Sequence, residues 1–137
     1  MQVNCVAPLT LTQTLLSLLK SASTAHSAAP IGIDRAAVVM VSTRMASIAD
    51  NSGGGYYAYR CSKTALNMAT KNLSVAVKDD QILTVVLHPG WVKTDMGGAN
   101  ALIDTDTSVS SIITTLQALG EKDHGTFITW DGKSLPW

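Results

Sequence analysis

Two short, unbroken apolar runs constrain the fold of this chain most. "AAVVMVS" (36–42) and "ILTVVLHPG" (82–90) are rich in valine and too short for ordinary helices. Neither alternates apolar with polar, so each predicts a strand buried on both faces, as in a parallel sheet. Parallel neighbours need a long crossover, usually a helix. The segment between the runs supplies one. Ala65, Leu66, Ala69, Leu73 and Val77 recur at three- and four-residue spacing, which predicts a helix over 57–78 with one apolar stripe.

The alternation continues on both sides. Leu9, Leu11, Leu15, Leu16, Leu18 and Leu19 predict a helix over 1–21, which Pro8 should start, kink or loosen. "SASTAHSAAPIGIDR" (21–35) reads as a loop. "DTDTSVSSIITTLQALG" offers Asp and Thr caps, a helix, and Gly120 as its stop. "GTFITWDGKSLPW" predicts a third strand with a turn at Asp131-Gly132. The order helix, strand, helix, strand, helix, strand predicts an α/β fold with right-handed crossovers. Ligands of such sheets bind at the carboxyl ends of the strands. The chemistry is therefore expected in 43–56, in 88–104 and in the tail.

Composition narrows the function class. The 137 residues suit one domain, and a net charge of zero points to neither nucleic acid nor an acidic membrane surface. Charged residues are 15% and hydrophobic ones 46%, which favours a packed core over disorder. Cys5 and Cys61 lack metal-ligand spacing and read as reduced thiols. His26, His88 and His124 read as loop histidines, and Met40, Met45, Met68 and Met96 as core or pocket filling. Trp91 could line a pocket or pack, while Trp130 and Trp137 read as packing residues of the tail. No apolar run approaches the ~20 residues of a membrane span, and no basic stretch marks a signal peptide. A soluble, cytoplasmic protein is the expectation.

Tyr59 and Lys63 stand four residues apart at the start of the 57–78 helix, after Gly53-Gly54-Gly55. Residues at that spacing share a helix face. A nearby ammonium favours a phenolate, so the pair could exchange a proton with a carbonyl oxygen near neutral pH. YxxxK alone is a weak signal, because such pairs are common on helices. Ser42 and Thr43 end the first strand, and Pro89-Gly90 followed by Thr94 end the second.

Taken together, Asn4, "VSTRMAS", "YAYRCSK" and "HPGWVKTDMGG" in this order resemble the short-chain dehydrogenase/reductases. "YYAYRCSKTALNMATKNLSV" and "GEKDHGTFITWDG" look like the sniffer and C-factor-like carbonyl reductase branch. The resemblance implies a Rossmann-like doubly wound parallel sheet, of which this chain is the C-terminal half, a single partial domain. It implies catalytic roles for Tyr59, Lys63, Asn4 and Thr43, with Thr43 where the family has serine. Threonine's extra methyl crowds the site, and Ser42 or Ser47 could substitute if the loop shifted. The resemblance also implies that Tyr59, Lys63, Pro89, Gly90, Val92 and Thr94 contact the nicotinamide cofactor. NADP(H) is favoured over NAD(H), and the substrate is a small carbonyl compound. The glycine-rich turn that takes the pyrophosphate is missing. Two readings stay open: an NAD(P)H-dependent carbonyl reductase, or a non-catalytic module that forms a homo-oligomer or associates with a full-length relative. A half-sheet would expose a hydrophobic edge at 36–42 and favour aggregation.

Overall fold

The computed structural model describes all 137 residues. A π-helical turn, Gln2–Val6, runs into α1 (Ala7–Ala25). Then follow β1 (Ala37–Val41), a 3₁₀ turn Arg44–Ala46, α2 (Tyr57–Ala76) and β2 (Leu83–His88). The chain ends with α3 (Thr105–Ala118), a 3₁₀ turn Glu121–Asp123 and β3 (Phe127–Thr129). The strands form one parallel sheet in the order β1-β2-β3, with Ala37 opposite Leu83 and Val86 opposite Phe127.

Pro8 follows closely on the π-helical turn, so the helix is loosened where proline supplies no N–H to its ladder. The helix then runs to Ala25, past the expected start of the loop. Tertiary bonds explain the extra turn. Ser23 is buried, its hydroxyl donates to the Asp80 carbonyl (2.7 Å), and Arg35 Nε donates to Ser23 Oγ (2.9 Å). These bonds override the weak helix preference of "SAST".

β2 is the hub of the core. Leu83 and Val85 pack with Ile31, while Ile82 packs with Ala36 and Val77. Val86 packs with Phe127 and Leu135. β1 differs from the expectation of a strand buried on both faces: only Met40 is buried, and Val41 is 52% exposed. It pairs on one side only, as an edge strand of the sheet. Leu11 and Leu18 of α1 and Met68 and Val75 of α2 are likewise exposed. Among the methionines expected to fill space, Met40 does so, whereas Met68 and Met96 face outward.

Asp104 caps α3, its Oδ1 accepting from Thr107 N–H (2.8 Å), and these hydrogen bonds hold its carboxyl below the usual range. Gly120 does not stop the helix through a left-handed conformation. Leu119 already turns extended and packs on the core, and Gly120 is extended too. Its N–H donates instead to Asp123 Oδ2 (2.9 Å), opening the next turn.

His124 does more than a loop histidine would. Thr84 N–H donates to its Nδ1 (3.2 Å), so Nε2 carries the proton and donates to the Ser74 carbonyl (2.8 Å). The ring thus ties α2 to β2. His124→Ala should leave the fully buried Thr84 N–H unpaired. The expected cost is about 1–3 kcal/mol, read as a lower urea midpoint at an unchanged slope.

Candidate active site

Thr43, two residues beyond β1, is buried and caps the 3₁₀ turn, its hydroxyl accepting from Met45 N–H (3.3 Å). Its neighbours are committed elsewhere. Ser42 Oγ donates to Asn67 Oδ1 (2.7 Å), and Ser47 Oγ donates to the Trp137 carbonyl (3.3 Å) while accepting from Asp50 N–H (3.0 Å). Of the three hydroxyls suggested by the sequence, only that of Thr43 has no acceptor within the chain.

The approach to α2 is a left-handed bend. Gly54, Gly55 and Tyr56 have φ of 61°, 69° and 48°. Glycine takes such values at no steric cost, and the non-glycine Tyr56 is strained there. Arg60 braces the bend, donating from Nε to the Gly54 carbonyl (3.1 Å) and from Nη1 to the Met45 carbonyl (2.9 Å). Thr64 Oγ1 donates to the Ala46 carbonyl (2.9 Å). Loop and helix therefore move as one piece at the end that carries Tyr59.

Tyr59 is half-buried, and its hydroxyl makes no hydrogen bond within the chain. The Lys63 ammonium donates to the carbonyl of Val41 (3.0 Å), the last residue of β1, and burial pushes its pKa down. The sequence suggested an ammonium beside a phenol. In the fold no hydrogen bond joins them, and Lys63 is anchored to the strand end that leads to Thr43.

Asn4 sits in the π turn, a distortion that often marks functional positions. Its Nδ2 donates to Ser62 Oγ (3.0 Å), which donates to the Tyr59 carbonyl (2.8 Å). Sequence reasoning passed over Ser62, although its place between Tyr59 and Lys63 was visible.

The loop after β2 adjoins this end of the sheet. Gly90 has φ of 91°, and a Cβ there would lie 2.6 Å from Ile103 Cδ1 and 3.0 Å from Trp130 Cδ1. Only glycine lets the turn close. Pro89 offers its carbonyl to Ser108 Oγ (2.6 Å), and Val92 bridges to Ile103. Thr94 is exposed and its Oγ1 accepts from Gly97 N–H (3.1 Å), while Trp91 Nε1 donates to the Gly97 carbonyl (2.8 Å). Tyr59, Lys63 and, through Ser62, Asn4 are thus brought together on α2. Pro89, Gly90, Val92 and Thr94 stand on a separate, neighbouring loop with no hydrogen bond to that helix.

His88 corrects the reading of a loop histidine, because it is the last residue of β2. Its Nδ1 is buried without a partner. Desolvation, and then the charge of Arg44, hold its pKa down to about 4. Unfolding restores the ordinary value near 6.5, so between those values the unfolded chain binds the extra proton. Stability is full above pH 6.5 and falls as pH drops toward 4. After allowance for partial exposure the loss is about 2 kcal/mol. Urea midpoints at successive pH values should show this slope in the native chain and a flatter one in His88→Gln.

No helix is long and apolar enough to cross a membrane, and no group of three or more His, Cys, Asp or Glu side chains could hold a metal ion. The family model for short chain dehydrogenases matches residues 1–104. The chain is 36% identical over 135 residues to C-signal of Myxococcus xanthus, covering 98% of this chain and 75% of that protein. Its fold is similar to the carbonyl reductase Sniffer of D. melanogaster, with TM-score 0.98 and 49% identity over 99% of this chain and 55% of that one. It is also similar to the NADPH-bound carbonyl reductase from chicken fatty liver, with TM-score 0.89 and 40% identity over 98% and 54%. The chain thus spans little more than half the length of these two structures. With its parallel sheet, its Tyr59–Lys63 helix and a family match over most of its length, the chain belongs to the short chain dehydrogenase family.

Proposed function

We propose that this chain carries the proton-handling half of an NADP(H)-dependent carbonyl reductase working in the cytoplasm. The observation that supports it best is the pair of hydroxyls whose protons find no acceptor within the chain, those of Thr43 and Tyr59, with Lys63 anchored between β1 and α2. In this reading Thr43 donates a hydrogen bond to the oxygen of a ketone or aldehyde. Tyr59 gives that oxygen its proton, and the Lys63 ammonium favours the phenolate left behind. Asn4, through Ser62, steadies the first turn of α2.

The residues present fit the nicotinamide end of the cofactor. Lys63 keeps N–H groups beyond the one used on Val41, enough for ribose hydroxyls. Pro89, Gly90, Val92 and Thr94 form the adjoining wall. No strand, glycine-rich turn and helix in this sequence offers a pyrophosphate site, which supports a single partial domain. When bound, a reduced nicotinamide supplies the hydride for the carbonyl carbon. NADP(H) is favoured over NAD(H) because carbonyl reductases similar to this chain carry NADPH or NADP. Titration calorimetry of the purified chain with NADPH and NADH tests the reading. Binding of NADPH is expected, and no binding by a folded sample would sink the reading.

A second reading rests on the exposed Leu11, Leu18, Met68 and Val75. The chain could be a non-catalytic module that pairs with another copy or a longer relative. A monomer at all concentrations in sedimentation velocity, with no retention of a longer paralogue, would count against it.

A further inference from the structure

The tail after β3 doubles back along it. Leu135 N–H donates to the Phe127 carbonyl (2.8 Å), and Ser134 bridges antiparallel to Ile128. The Trp137 ring then lies against Phe127, centroids 5.6 Å apart. This contact sets the Trp137 carbonyl where Ala49 N–H (3.0 Å) and Ser47 Oγ (3.3 Å) both donate to it.

Those two bonds fall at a telling place. The segment 43–56 begins at Thr43 and leads into the helix of Tyr59. From outside, its ends are braced by Arg60 and Thr64, at Met45, Ala46 and Gly54. Between 47 and 53 the bonds within the segment are local, such as Asn51 N–H to Ile48 and Gly54 N–H to Asn51 Oδ1. Only Trp137 holds this middle stretch to the body of the protein by hydrogen bonds. A stretch with so few outside anchors opens locally at low cost once its clasp is gone. The 43–56 segment begins at Thr43 and leads into the first turn of α2, which carries Tyr59, and misplacement by about 1 Å can cost catalysis on the order of 10²-fold.

We infer that Trp137 is a positioning residue: through Ser47 and Ala49 it fixes the segment that sets Thr43 relative to Tyr59. Ser47 is then a tether rather than a substitute for the family serine. The catalytic part of this role rests on the reading of Thr43 and Tyr59 given above.

Hydrogen exchange and steady-state kinetics on the native chain, Trp137→Phe, Trp137→Ala and a chain lacking Trp137 test it. Exchange at Ala49 and Asp50 should accelerate about tenfold or more in the last two variants. Trp137→Phe should keep the protection, and the amides of Val85 and Val86 should stay protected in every variant. In the same two variants kcat should fall about tenfold with KM for the carbonyl within about twofold. Unchanged exchange at Ala49 without Trp137 would overturn the clasp. Parallel loss of protection at Val85 and Val86 would also overturn it, showing a general packing role. A native chain that reduces no carbonyl would overturn the catalytic reading, while exchange at Ala49 would still decide the clasp.

Discussion

Tyr59→Phe should lower carbonyl reduction about 10²–10⁴-fold, the range lost when a positioned proton donor is removed. The substitution is unusually clean here. The ring stays half-buried and only the hydroxyl goes, and that hydroxyl has no partner within the chain. No buried group is orphaned, so the stability change should stay within about 0.5 kcal/mol. NADPH affinity by calorimetry should change little, because Lys63 and the loop after β2 are untouched. The loss should therefore fall on kcat. A variant within a few-fold of the native rate would remove Tyr59 from the role of proton donor. Lys63 offers no equally clean test, because removing its ammonium also strips the Val41 carbonyl of its side-chain partner.

Phe127→Ala should be the most damaging single change to the fold. Phe127 is 1% exposed, packs with Val86 and Leu135 and carries the Trp137 ring. It also opens a strand of only three residues, Phe127–Thr129. Truncation of a buried phenylalanine typically costs 3–5 kcal/mol, against about 5–15 kcal/mol for a whole domain. A sheet of three strands stands at the low end of that range, so the variant should lose its cooperative urea transition at 25 °C. A midpoint shift worth less than about 1 kcal/mol would mean that the tail and β3 contribute little to the core.

Much of this architecture could be read from the residues. The valine-rich runs became β1 and β2, since unbroken apolar stretches of that length have one comfortable environment. Asp104 marked the start of α3 because a cap acts within one turn, and Pro8 marked the place where the first helix is loosened into a π turn. What escaped depends on partners distant in sequence. Ser23 holds a helical turn through Asp80 and Arg35, and His124 joins Thr84 to Ser74. Ser62 gains its meaning only once Asn4 lies against it. The same applies to Thr43, whose hydroxyl stands out because the bonds of Ser42 and Ser47 occupy the alternatives. Gly120 stands at the C′ position the sequence assigned it, but it is extended rather than left-handed, because Leu119 has already turned the chain onto the core.

The parallel pairing of the three strands also has a consequence in time. Ala37 meets Leu83, 46 positions on, and Val86 meets Phe127, 41 positions on. No hairpin shortens either search, so each pairing must await the closure of a long loop. Such closures are entropically costly, and folds dominated by them reach the native state in milliseconds to seconds rather than microseconds. α1 and α2 can flicker into shape within about a microsecond. During the interval before β2 is enclosed, Leu83, Val85, Val86 and Leu87 remain open to water, so the folding yield of this chain should depend on dilution and on holding chaperones.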